Sequence, residues 1–311
     1  MSPTSVSDDE KTGPDGQARL YAVIARDART AVVFRRGPSK AVLLLKWDLK
    51  TDTLTPGQWF KGRIYERRCD LSPDGELLVY FAARHHGPLG TWTAVSRPPY
   101  LTALALWPKG DAWGGGGLFD SSRDLRINHR SSLFAVGTAE LADGYTLPKG
   151  FRVRPLGAYS GRGEDEPILG MRLERDGWRE LEAGEVSDYS SKARFRWTWT
   201  TPQVMEKALD GRGKAHLRVA LHGIGEANGP WYSQSAQVNE GGLSVDLGAV
   251  DWADVDHTGD VLFARDGCLF RLRRGALDGE AVQVADLRGL RFMPRAAPGF
   301  ATGWPKSARR I

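Results

Sequence analysis

The chain has 311 residues, of which 41% are hydrophobic and 10% aromatic, with 11 tryptophans, ample for a packed core in one long all-β unit. Its 43 Lys and Arg against 38 Asp and Glu leave a formal charge of +5, which supports solubility but lacks the excess that marks a nucleic-acid-binding face. Two cysteines do not make a disulfide scaffold, and the absence of any run of about 18 apolar residues excludes a spanning helix.

Residues 1–17 are rich in Ser, Thr, Asp, Gly and Pro with no apolar centre. They match neither a signal peptide nor a membrane anchor and read as a disordered leader, which makes a cytoplasmic protein the expectation. From Leu20 the chain is strand after strand: Leu20 to Ala25, Ala31 to Arg35, Ala41 to Leu49 and Leu54 to Phe60. Polar turns join these runs. Leu43 to Trp59 reads as an outer hairpin with Trp47 and Trp59 on facing strands.

Asp70 to Phe81, D-L-S-P-D-G-E-L-L-V-Y-F, is a Pro-Gly turn delivering an apolar, β-branched and aromatic run that reads as a buried or half-buried strand. Asp254 to Phe263, D-V-D-H-T-G-D-V-L-F, has the same layout, with Asp70 over Asp254 and Gly75 over Gly259. A second pair, Arg175-Asp176-Gly177-Trp178 and Arg265-Asp266-Gly267-Cys268, reads as two Asp-Gly hairpins. Both separations fit a repeat of about 45 residues, the length of a four-stranded propeller blade.

The S-P-D-G-E-L-L-V-Y-F stretch resembles the strand entry of TolB-like and WD40-like β-propellers, although the G-H and W-D dipeptides of WD40 repeats are missing. The resemblance covers well under half of the chain. It implies a closed ring of sheets and a scaffold or binding role, while propellers also host enzymes. The expectation is an all-β, β-propeller-like single domain over 18–300, with about six blades, five or seven being the alternatives, and a basic tail over 301–311. In a closed ring the terminal strands would pair to complete one blade.

Residues 84–119 depart from the repeat and read as a Trp/Gly-rich insertion: His85, His86, Trp92, Pro98-Pro99, Tyr100, Trp107, Trp113 and four consecutive glycines. This is the leading binding-site candidate, with blade packing as the plainer role for its tryptophans. Residues 121–185 are polar, and their arginines alternate with carboxylates as on a solvated surface. In Phe195 to Thr200, period two puts Phe195, Trp197 and Trp199 on one face, read as core. Gln203 to Leu209 is the one stretch read as a turn or two of helix. His222 ends a strand, where its loop could present it at a pocket mouth, beside Glu226 and Asn228.

Catalytic templates fail on particular residues. Ala208 and Ala215 stand where a phosphate loop needs Gly and Ser or Thr around Gly211–Lys214, and Ala158 replaces the first Gly of a nucleophile elbow at Ser160. Asp254, Asp256, Thr258 and Asp260 are spaced like calcium ligands, but Arg265 sits where a bidentate Glu belongs. His85 and His86 would point to opposite faces of a strand, so no zinc set forms. With no catalytic residue, metal or cofactor indicated, the leading reading is a non-catalytic scaffold that binds a partner protein through blade loops or the Trp-rich segment. The alternative is an enzyme or small-ligand binder whose polar groups meet in the central channel.

Overall fold

The computed structural model describes residues 18–37, 41–84, 87, 89–130, 140–158, 160–189, 197–211, 213–225 and 231–305. The leader, His85, His86, Phe195, Glu226 and Asn228 lie outside the described residues. The fold is all-β and propeller-like, with five sheets among the described residues, one of the expected alternatives. Sheet one holds β1 (Arg19–Ile24), β2 (Thr30–Arg36), β3 (Ala41–Asp48) and β4 (Thr53–Lys61). Sheet two holds β5 (Arg63–Ile64), β6 (Asp70–Leu71), β7 (Leu78–Ala83), β8 (Thr91–Ser96) and β9 (Ala103–Pro108). Sheet three holds β10 (Gly117–Ser121), β11 (Asp124–Ile127) and β12 (Arg152–Pro155), the last pairing parallel to β11.

Helix α1 (Ile168–Arg175) leads into sheet four, the largest, with β13 (Trp178–Glu182), β14 (Glu185–Tyr189), β15 (Trp197–Ala208), β16 (Ala215–Ile224), β17 (Tyr232–Glu240) and β18 (Leu243–Ala249). Sheet five holds β19 (Trp252–Val255), β20 (Val261–Arg265), β21 (Cys268–Leu272) and β22 (Val282–Asp286).

The ring follows from strands buried on both faces, which therefore read as continuous apolar runs. In β2 and β3, Val32, Phe34, Val42 and Leu44 pack toward sheet two with Leu71, Leu78 and Tyr80. Their alternate neighbours Ala31, Val33, Leu43, Leu45 and Trp47 pack toward sheet five with Trp252, Leu262 and Leu269. Further apolar cores join sheets two and three and sheets four and five. Between sheets three and four only Leu118, Leu156, Ile168 and half-buried Met171 meet, and α1 fills the gap.

Each sheet is made from one continuous stretch, so the terminal strands do not pair, contrary to expectation. Closure comes from β1 lying against β19 and β20 and from Arg19, whose Nη1 donates to Asp251 at 2.9 Å. The chain also stays packed beyond 300: Ala301 is fully buried and the Trp304 ring lies 4.9 Å from Phe151.

The two glycine turns behave as the repeat predicts, with Gly75 at φ +70° and Gly259 at φ +83°. The first hairpin is one residue longer, since Asp70 pairs Val79 while Asp254 pairs Leu262. Asp266 and Gly267, at φ +52° and +73°, make the expected hairpin between β20 and β21. Arg175–Trp178 does not. It is the exit of α1, where Gly177 at φ +88° closes the helix before β13. The helix escaped the sequence reading because the residue one turn from buried Ile168 is Arg172, also buried, so no apolar stripe of period 3.6 is visible.

Gln203 to Leu209 is not helical; all but Leu209 lies in β15, paired on both sides. Trp197, expected in the core, is 43% exposed at the start of β15. Residues 84–119 include β8, β9 and the start of β10. Their glycines are needed for close approach: a Cβ on Gly116, at φ +80°, would lie 2.1 Å from the Arg68 carbonyl oxygen. Gly116→Ala is expected to cost at least about 2 kcal/mol in urea unfolding, from backbone strain plus the shift forced on Arg68.

Candidate functional site

The ring axis is where a propeller would gather a discontinuous site, and four of the five sheets and α1 bring charged or polar side chains there. Asp70, only 1% exposed, accepts the Phe119 N–H at 2.8 Å and a two-pronged pair from Arg175 at 2.7 and 2.9 Å. Burial opposes the Arg175 charge, but Asp70 and Asp176 outweigh it and raise the pKa. Arg172, also buried, donates to the Cys69 carbonyl and to the Tyr21 hydroxyl. Arg68 donates to the carbonyls of Ala112 and Gly114, both at 2.7 Å, and faces Asp165 at 3.7 Å. The Tyr232 hydroxyl donates to Asp165, and the Arg67 guanidinium stacks 3.3 Å from the Tyr232 ring centre.

Most of these groups pair with one another, although the Arg67 and Arg68 Nε atoms are buried without a hydrogen-bond partner, and the space beside Tyr21, Glu66, Tyr232 and Asp251 is about 30 Å³, the room of one or two waters. Burial pushes the Cys69 thiol up to about 12, so it carries no thiolate for nucleophilic chemistry near neutrality. The axis is thus a closed charged plug.

A second buried charge site explains the calcium-like turn. Arg271 spends all five donor positions: on Asp52 at 2.6 and 2.9 Å, Asp256 at 2.5 Å, Asp260 at 3.1 Å and the Leu49 carbonyl at 3.2 Å. The guanidinium is the cation this turn holds. Among the described residues no group of three or more His, Cys, Asp or Glu side chains is placed to bind a metal. No helix there is long and apolar enough to cross a membrane.

The residues singled out in the sequence do not converge. Trp107 is 1% exposed in β9 and Trp92 packs edge-on against Phe60 at 5.7 Å, both interior. Trp113 is 61% exposed in the loop before β10, and half-buried Tyr100 meets Phe300 at 5.7 Å. His222 lies across the ring on β16, its Nε2 2.8 Å from the Ser235 hydroxyl.

His222 does adjoin the widest concavity described, a groove of about 410 Å³ on one face of sheet four. Leu181, Val204 and Ala220 give it apolar lining, and Glu182, Arg218, Ser235, Gln237 and Asp246 give it polar lining. The β15–β18 register places Glu206 beside Arg218, and buried Glu206 holds Arg218 at 2.7 Å and Arg179 at 3.1 Å. Apart from adjoining His222, none of the residues at this groove stands out in the sequence. The groove depends on strand register across sheet four, with His222 at a break in register between Leu221 and Gly223.

No family model and no curated protein matches the chain. Among solved structures it is similar to an uncharacterized protein of Listeria monocytogenes EGD-e, at 9% identity over 86% of this chain and 83% of that one, with a TM-score of 0.29. It is also similar to the β-propeller domain of the Trilobed protease from Pyrococcus furiosus, at 12% identity over 87% of this chain and 99% of that one, with a TM-score of 0.28. The propeller-like assignment rests on the five sheets and their ring of contacts.

Proposed function

We propose that the protein is a non-catalytic interaction scaffold that holds a partner protein against the open face of sheet four. The observation that carries this reading is the groove on that face, of about 410 Å³ with apolar and charged lining, which 40%-exposed Leu181 borders; Val186 and Trp197, 46% and 43% exposed, lie further along β14 and β15 of the same sheet. Apolar side chains gathered around a polar-rimmed depression are what protein-binding surfaces present. Exposed Trp113 keeps the loop before β10 as a secondary contact.

Ala220→Arg fills the groove from its floor at a half-buried position. Captured partner is expected to fall at least tenfold in affinity purification, roughly 1.4 kcal/mol, with unchanged far-ultraviolet circular dichroism. Undiminished capture would remove the groove from the account.

One observation favours an enzymatic reading of the same groove: the His222–Ser235 contact resembles a base beside a nucleophile. A fluorophosphonate probe decides it. Covalent labelling at Ser235 that disappears in His222→Ala would replace the scaffold with a hydrolase, and no labelling is expected.

A further inference from the structure

After β22 the chain runs as a strap over residues 287–305, with no strand and a single 3-10 turn, across sheets one, two and three. It is held by side chains rather than by a backbone ladder. Arg35 donates to the carbonyls of Leu287 and Arg288 at 3.1 and 2.8 Å, Gln58 to that of Arg295 at 3.1 Å, and Arg97 to that of Phe300 at 2.9 Å. Three aromatic side chains anchor it, one per sheet. Phe292 meets Trp59 at 5.8 Å, Phe300 meets Tyr100 at 5.7 Å, and Trp304 meets Phe151 at 4.9 Å. Phe292 and Phe300 also lie under cations, 4.6 Å from the Lys61 ammonium and 5.4 Å from the Arg97 guanidinium.

Pro294, Pro298 and Pro305 keep the strap extended, and Pro298 has polyproline II angles, φ −69° and ψ 162°. Side-chain donors on carbonyls together with aromatic seats are how proteins hold extended, proline-bearing segments of other chains. Yet Phe292, Met293 and Phe300 stay 37%, 58% and 56% exposed, so the seating is shallow.

We propose that this rim is a peptide-binding groove occupied in cis by the strap, and that its external ligand is an extended, proline-containing segment of a partner protein with aromatic anchors at matching spacing. Such a segment binds by displacing the strap. The surface is separate from the sheet-four groove, so either assignment can fail alone.

The test uses the full chain and a fluorescein-labelled peptide of the strap sequence, residues 290–305, read by anisotropy. Wild type should bind weakly, because the tethered strap competes at an effective concentration of roughly millimolar order. Phe300→Ala/Trp304→Ala, which loosens the strap and leaves Trp59, Tyr100 and Phe151 in place, should bind at least tenfold more tightly. A peptide with its three aromatics changed to alanine should not bind. Failure of the folded double variant to bind, or equal binding of the alanine peptide, would overturn the proposal. Hydrogen exchange on wild type gives an independent reading: strap amides should exchange well before those of β2, β7 and β20, and equal protection would mark a permanent clasp.

Discussion

Asp70→Ala is expected to cost about 3 kcal/mol or more, because it leaves a largely buried guanidinium and a buried backbone N–H without their acceptor. Asp70 ties β6 to the Phe119 amide of β10 and to Arg175 at the end of α1. This junction has little apolar core to fall back on. Equilibrium urea unfolding of Asp70→Ala, Arg175→Met and the double variant separates desolvation from attraction. The double variant should be more stable than the sum of the single losses predicts, by about 1 kcal/mol or more. Additive losses would mean that the pair is not coupled and that the axis is held by packing.

Arg271→Met should be comparably severe, at about 3–5 kcal/mol, since it strips Asp52, Asp256 and Asp260 of a shared buried cation. Its signature is in the pH dependence. Burial tends to raise the Asp256 pKa, but the Thr258 hydroxyl and Arg271 outweigh it and hold the carboxyl below its ordinary value. A depressed folded-state pKa contributes stability that is present above the unfolded value, about 4, and is lost as pH falls through the folded value. Wild type should therefore lose stability on acidification below about pH 4. Without Arg271 only the hydrogen bonds from Thr258 are left against burial, so the variant's acid limb should flatten. Parallel limbs for the two proteins would show that Arg271 does not govern this carboxyl.

Turns and doubly buried strands were legible in the sequence because their chemistry is local. Gly75, Gly259 and the Asp266-Gly267 pair need positive φ, and β2, β3 and β7 are apolar on both faces. Asp-Gly at 176–177 looked the same as Asp-Gly at 266–267, although one ends a helix and the other joins two strands. An αL glycine serves both ends, and only the preceding eight residues distinguish them.

The sites were less legible. Arg35, Arg68, Arg172 and Arg271 are buried, against the habit of the residue, and each is matched to acceptors far away in sequence. One repeat length could not settle the blade count, because sheet four uses far more chain than sheet five. His222 was singled out and does border the groove, but its partner Ser235 is set by register alone.

The most direct measurement is site-specific photocross-linking in native cells, with p-benzoylphenylalanine placed at Leu181 beside the sheet-four groove or at Arg152 on sheet three, a side chain 76% exposed. The scaffold account predicts one discrete protein adduct from Leu181, lost when Ala220→Arg is added, and none from Arg152. Adducts from Arg152 alone, or a Leu181 adduct indifferent to Ala220→Arg, would contradict it.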